Sequence, residues 1–282
     1  MKLLNIADLL SDDQINQNQF YTLNLPKDEV TCTLKIKSSE ILIAGIPYLI
    51  EVFEHLGADK TKLEFLNKYE GKILKQNQTV TFNLPFNIAL SGERLALNLL
   101  QRCSSIASYT NKIVEKSKKY NIKILDTRKT TPGLRSIEKY SVVVGGGYNH
   151  RFSQSDVWMI KDNHKSFFGG LHGAIKFFKS VHSFYNEIVC EIHSIDELKE
   201  LIQLNKEHNY KVNHCLLDNF SKEQIADSLK IKQPNMTYEI SGGVTLDNIE
   251  NFLFVGIDAI SVGALTHSFT QLDISMKIAK AK

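Results

Sequence analysis

Among its four cysteines, Cys32, Cys103, Cys190 and Cys215, the sequence has no CxxC pair, so it lacks the usual mark of a thiol redox site or zinc ribbon. Three of the four sit in apolar or helical surroundings, which predicts reduced core thiols. A strong charge excess is also missing. The 34 Lys+Arg against 31 Asp+Glu leave +3, too little to imply nucleic-acid binding by itself. No long apolar run exists either. The longest, "ILIAGIPYLI", has ten residues and contains Gly45 and Pro47, too short to cross a bilayer. The segment "MKLLNIADLLSDD" meets Asp8 before any such run develops, so no signal peptide is expected. There is no low-complexity tract and no Pro/Gly-rich linker. These absences predict a cytoplasmic globular protein. What is present fits: 43% hydrophobic and 23% charged residues over 282 positions, about two domains by length.

The first hundred or so residues mix short strands and helices. "EVTCTLKIKSS" alternates with period two and predicts a half-buried strand, whereas "PYLIEVFEHLG" has helical spacing and ends at Gly57. "GERLALNLLQRCSSIASYTNKIVEKSKKY" predicts a long amphipathic helix. From residue 120, short apolar strands alternate with helices. The strands are "IKILDT", "VWMIKD", "IVCEIHS", "HCLLDN", "TYEISGG" and "DAISVGA". The helices between them include "SIDELKELIQLNKEHN", "SKEQIADSLK" and "TLDNIENFLFVG", several with Ser or Thr placed to cap them. From the third strand onward the repeat is 22–26 residues, the length of one βα unit. Six such units in a row predict a parallel α/β barrel.

Polar residues gather at the C-terminal ends of these strands: Asp126-Thr127-Arg128-Lys129, Lys161-Asp162, Glu191, Asp218, Ser241-Gly242-Gly243 and Gly263. In an α/β barrel that face carries the active site. Residues 126–176 hold eight Lys+Arg and four Asp+Glu, so this segment is +4 while the rest of the chain is −1. Lys139, Lys165 and Lys176 are read as solvated helix face. Arg128, Lys129, Arg151 and Lys161 lie at strand ends or beside the glycine-rich turn "GGGYNHR". Arginine forks and lysine point charges suit carboxylates and phosphates, so the implied ligand is small and multiply anionic. His150, next to Arg151, reads either as a structural histidine or as a ligand contact.

Two glycine-bearing strand ends, "EISGG" and "ISVGA", come last. Backbone NH groups at such turns make a phosphate cradle, although a tight βα turn also favours glycine. Glu191 and Asp218 end adjacent strands opposite the basic set. They read as oxygen donors for Mg²⁺ or, more plainly, as counter-charges for nearby lysines. Arg94 is placed by this reading in the first turn of a helix, where a cation opposes the macrodipole.

The motifs "DTRKTTPGLRSIEKYSVVVGGGYNHR", "MIKDNH", "LLDN", "SGGVTLDNI" and "ISVGALTHS" resemble those of the quinolinate phosphoribosyltransferases, the carboxylating nicotinate-nucleotide diphosphorylases. With "SGERLALNLLQRCSSIAS" the resemblance runs from about residue 40 to the end. It implies an incomplete seven-stranded α/β barrel over 111–267 beside an N-terminal open α/β sandwich over 1–110, with 268–282 left to pack back on the sandwich. It further implies phosphoribosyl transfer from phosphoribosyl pyrophosphate to quinolinate with decarboxylation. The products are nicotinate mononucleotide, pyrophosphate and CO₂, a step of de novo NAD biosynthesis. Mg²⁺ is implied and an organic cofactor is not. The implied assembly is a homodimer or higher homo-oligomer, with no nucleic-acid or membrane partner.

Carried over by motif, the quinolinate-binding residues fall on Arg128, Lys129, His150, Arg151 and Lys161. Arg94 falls where the family's arginine reaches into the partner subunit's site. Glu191 and Asp218 fall near Mg²⁺ and the ribose, and Ser241, Gly242, Gly243 and Gly263 on the phosphates. Lys129, Lys161, Glu191 and Asp218 are the implied catalytic set. There are two departures from the family pattern. "SDDQINQNQFYTLNL" lacks the family's acidic opening and D-x-T turn, and His193 stands where the family often has an acid two residues after the site glutamate. A paralogue linked to molybdate transport shares "TRKT" but lacks the "KDNH" signature present here. Other readings are a different phosphate-binding barrel enzyme, or a non-enzymatic nucleic-acid or scaffold protein. The second would need basic residues interleaved with exposed aromatics, whereas the basic residues here follow the strand ends.

Overall fold

The computed structural model describes residues 5–13, 24–181 and 186–281. Most of "SDDQINQNQFYTLNL" therefore lies outside the described residues. In chain order the elements are α1 (Ile6–Asp12), β1 (Glu29–Ile36), β2 (Glu40–Leu42), α2 (Ile46–His55), β3 (Ile73–Lys75), β4 (Thr79–Pro85) and α3 (Phe86–Ser117). Then come β5 (Lys123–Leu125), α4 (Arg135–Val144), β6 (Trp158–Ile160), α5 (Asp162–Phe167), α6 (Leu171–Val181), β7 (Ile188–Ile192) and α7 (Ile195–His208). The chain continues with β8 (His214–Asp218), α8 (Lys222–Lys230), β9 (Thr237–Ser241), β10 (Ala259–Ser261), α9 (Ala264–His267) and β11 (Ile274–Lys280). No helix among the described residues is long and apolar enough to cross a membrane.

The chain divides into two compact units, and the first comprises Met1–Asn111, Thr130–Gly146 and Ser268–Lys282. Its three-stranded antiparallel sheet has the order β11-β1-β4, and β2 pairs with β3. In β1 the residues Val30, Cys32, Leu34 and Ile36 are buried and their neighbours are not, the pattern that period-two alternation dictates. α2 is preceded by Gly45 and has Pro47 in its first turn, where a missing N–H costs nothing. Its first orphan donors are met from a distance: Glu70 accepts the Gly45 and Ile46 N–H groups at 2.9 Å each, and Tyr140 Oη donates to it at 2.7 Å. Glu70→Ala should therefore destabilise this unit by about 2–4 kcal/mol and lower Tm by about 5–10 °C. Thermal melts monitored by circular dichroism check this, with Glu70→Gln expected to fall between.

α3 starts at Phe86, six residues before the predicted Gly92. Gly92 is an interior helix residue whose added Cβ would lie 2.7 Å from Phe53 Cε1, so it is there for a close helix approach rather than as a boundary. Arg94 consequently sits exposed in the third turn, and the macrodipole argument for it fails. Lys139, read as solvated, is fully buried in α4.

The second unit comprises Lys112–Lys129 and Gly147–His267. All six strands predicted from residue 120 onward form one parallel sheet, in the order β5-β10-β9-β8-β7-β6. Its core joins Ile124, Ile160, Ile192, Leu217, Ile240 and Ile260 of the strands with Leu198, Leu201 and Ile225 of α7 and α8. Ser194 and Ser221 cap α7 and α8 as their positions predict. "TLDNIENFLFVG" does not become an α-helix; only Ile249–Phe252 form a 3₁₀ turn. There Asn248 accepts the Thr245 N–H and donates to the Gly243 carbonyl, a local bonding pattern that competes with helix. The four cysteines are free and buried, with Cys190 opposite Cys215 on β7 and β8. Burial pushes the Cys215 thiol up to about 12, which makes it inert at neutral pH.

Candidate active site

Because the six strands are parallel, their polar C-terminal ends emerge at one end of the sheet. They surround a cavity of about 290 Å³ lined by Thr127, Arg128, Lys129, His150, Arg151, Met159, Lys161, Glu191, Leu216, Asp218, Ser241 and Ser261. Eight residues proposed from the sequence are thus brought together: Arg128, Lys129, His150, Arg151, Lys161, Glu191, Asp218 and Ser241. Arg94 lies in the first unit and is not among the lining residues.

The basic side is held by short local bonds. Lys129 N–H donates to Thr127 Oγ1 at 3.0 Å, and its carbonyl accepts from Thr266 Oγ1 at 2.7 Å. Gly263 is adjacent, and a Cβ there would meet Lys129 Cδ at 3.4 Å. His150 N–H donates to the fully buried Asp126 at 2.8 Å. His150 Nδ1 accepts the Arg151 N–H at 2.7 Å, and its Nε2 lies 3.3 Å from Glu239 Oε1. Arg151 donates to the Val157 carbonyl at 3.0 Å. Burial, and then the neighbouring Arg128, pull the Arg151 guanidinium below its ordinary pKa, so an anion entering here removes a real electrostatic cost.

The acidic side lies across β6, β7 and β8. Glu191, 8% exposed, pairs with Lys161 through Oε2. Asp218 accepts from Asn219 Nδ2 at 2.8 Å. Gly242 has φ +104°, and a Cβ on it would lie 2.2 Å from Asn219 Oδ1, so only glycine fits this turn. Gly243 is exposed beside it.

Some of this was not assigned from the sequence. Lys165, read as solvated, is buried: its ammonium donates to the Glu191 carbonyl at 3.0 Å and pairs with Glu197 at 2.6 Å and Asp162 at 3.1 Å. Burial opposes its charge, but the bonds to Glu197 and Asp162 outweigh this and hold its pKa up. Glu239 was also missed, although it shares the period-two face of β9 with Ser241. A larger cavity, about 670 Å³, opens at the N-terminal strand ends. There His214 pairs with Glu187 and Lys232 with Asp258; Glu239 lines this cavity, and none of the residues proposed from the sequence does.

Known proteins of one family resemble this chain. The family profile described as "Quinolinate phosphoribosyl transferase, C-terminal domain" matches residues 106–277. A probable carboxylating nicotinate-nucleotide pyrophosphorylase of Bacillus subtilis (strain 168) is 37% identical over 282 residues, covering 98% of this chain and 92% of its own. The Homo sapiens carboxylating nicotinate-nucleotide pyrophosphorylase is 34% identical over 242 residues, covering 84% of this chain and 78% of its own. Among solved structures, NadC from Streptococcus pyogenes aligns over 100% of both chains with a TM-score of 0.83 and 31% identity. The chain belongs to the quinolinate phosphoribosyltransferase family.

Proposed function

We propose that the chain transfers the phosphoribosyl group of phosphoribosyl pyrophosphate to quinolinate and decarboxylates it. The products are nicotinate mononucleotide, pyrophosphate and CO₂, in de novo NAD biosynthesis. The observation that supports this best is the single cavity in which Arg128, Lys129, His150, Arg151 and Lys161 face Glu191 and Asp218. The cations bind and orient the two carboxylates of quinolinate. Ser241, Gly242, Gly243 and Gly263 offer backbone and hydroxyl donors to phosphate.

Transfer breaks the ribose C1–O bond through an oxocarbenium-like transition state, and the electron pair leaves with pyrophosphate. The quinolinate nitrogen forms the new C1–N bond from the opposite face, so fixing both ligands in line supplies much of the rate. The quaternised nitrogen then stabilises the carbanion left when CO₂ departs. Lys129 and Lys161, which both line the cavity, would return a proton to that ring carbon. Glu191 and Asp218 fit Mg²⁺, since both line the cavity with hard oxygen donors and Glu191 Oε1 is left clear of Lys161. When bound, Mg²⁺ would offset the charge developing on pyrophosphate. The residues and known chemistry require no organic cofactor.

The six-stranded sheet is read as an incomplete seven-stranded barrel, with the Leu125–Tyr148 bridge as the remaining strand, beside an open sandwich. We read the assembly as a homodimer or larger, in which Arg94 serves the partner's site. Release of pyrophosphate and CO₂ from quinolinate and phosphoribosyl pyrophosphate tests the activity directly. Glu191→Gln and Asp218→Asn should each weaken Mg²⁺-dependent use of phosphoribosyl pyrophosphate while sparing quinolinate affinity, as titration calorimetry of each ligand would separate. Collapse of quinolinate affinity with normal Mg²⁺ dependence would overturn those two roles.

A further inference from the structure

His193 directly follows β7, two residues after Glu191, and stands among carboxylates from β7, β8 and the start of α5. Its Nε2 lies 2.8 Å from Asp162 Oδ1 and 3.3 Å from Glu191 Oε1, and its Nδ1 lies 3.9 Å from Asp218 Oδ2. The Nε2 atom is shut off from solvent and yet forms no hydrogen bond, because the two oxygens are close but off the direction a hydrogen bond needs. Nitrogen and oxygen ligands of one cation, each about 2.0–2.2 Å from it, stand roughly 2.8–3.6 Å apart from octahedral to tetrahedral angles, a range that includes both His193 Nε2 distances. The ligand atoms of Asp162, Glu191 and His193 all fall within 4.8 Å of one another.

Asp162, Glu191 and Asp218 surround the imidazole, Lys165 and Lys161 pair with the first two, and Arg128, Lys129 and Arg151 line the same cavity. Lys165 grips the Glu191 carbonyl, and Glu197 accepts the His193 N–H at 2.8 Å. Glu191 and His193 are thereby fixed by their outer partners, as metal ligands usually are. Lys161 occupies Glu191 Oε2 and leaves Oε1 toward His193. Asp162, whose side chain is 64% exposed, meets Lys165 at 3.1 Å, and a cation would enter by taking over that contact.

We propose that Asp162, Glu191 and His193 form a mixed imidazole–carboxylate site that takes a borderline divalent cation such as Co²⁺ or Zn²⁺ in preference to Mg²⁺. An imidazole nitrogen raises affinity for these ions far more than for a hard, oxygen-seeking one. The inference deepens the metal part of the proposed function, but its test needs no substrate, so the two fail separately.

Co²⁺ is titrated into the substrate-free full chain, and its visible d–d absorption is followed with and without Mg²⁺ in excess. The expected result is one Co²⁺ per chain that the excess Mg²⁺ does not displace. His193→Asp, which keeps an oxygen donor, should weaken Co²⁺ by at least about tenfold, the floor set by losing even an outer partner, and should let Mg²⁺ compete. Asp162→Asn should weaken Co²⁺ while the histidine remains, which separates loss of a ligand from loss of fold. No stoichiometric Co²⁺ binding, equal competition by Mg²⁺ in the unaltered chain, or binding unchanged in both variants would overturn the proposal. The last would place the ion elsewhere, for instance at the stacked rings of His172 and His208.

Discussion

Nicotinate should be used at least about a thousandfold less efficiently than quinolinate by kcat/KM. The cavity holds four cationic side chains and His150, more positive groups than one carboxylate can satisfy. Arg151 is the sensitive one, because burial and Arg128 already disfavour its charge. A buried charge deprived of its partner costs about 2–5 kcal/mol, and 4 kcal/mol corresponds to about three orders of magnitude in rate. Steady-state pyrophosphate release with each acid measures the ratio. Arg151→Met should lower quinolinate use by about a hundredfold or more and leave nicotinate less affected, so the ratio narrows. Equal use of the two acids by the unaltered protein would overturn the assignment of quinolinate.

Arg94→Ala and Lys161→Ala should each be inactive alone, and partly active once their subunits are exchanged. In the proposed two-fold dimer each site would take Lys161 from one chain and Arg94 from the other. A mixed dimer then has one site with both lesions and one with neither. Random reassembly of equal amounts should restore roughly a quarter of wild-type sites. The motive is the family position of Arg94 in "SGER", together with its exposure and its absence from the cavity lining of its own second unit. Dissociating the two variants together and reassembling them before assay gives the result. A mixture as inactive as its parents, despite proven subunit exchange, would mean that Arg94 acts within its own chain.

The second unit was the more legible in sequence, for a physical reason. Each of its strands is a short apolar run closed by polar residues, and parallel pairing puts those closures at one end without further information. Ser194 and Ser221 could be read because capping is local. The errors arose where the deciding partner is remote in sequence. Gly92 looked like a helix start because nothing nearby shows that Phe53 packs against it. Lys165 looked solvated because Glu197, 32 residues on, is what permits its burial. The meeting of Asp162 with His193 depends on the pairing of β6 with β7, which no local pattern reveals.

The pairing of β11 with β1 sets an order of events during synthesis. β1 is central in its sheet, flanked by β4 and β11, and β4 follows it closely along the chain. Residues 274–280 emerge more than two hundred residues later. At ~5–20 residues per second, the Val30–Ile36 stretch spends on the order of ten seconds or more with one side unpaired. Throughout that interval it is an alternating, half-apolar edge, the kind of surface that recruits other strands. The nascent chain is therefore most exposed to aggregation in its first unit, and an interruption of synthesis before residue 274 leaves that edge open permanently.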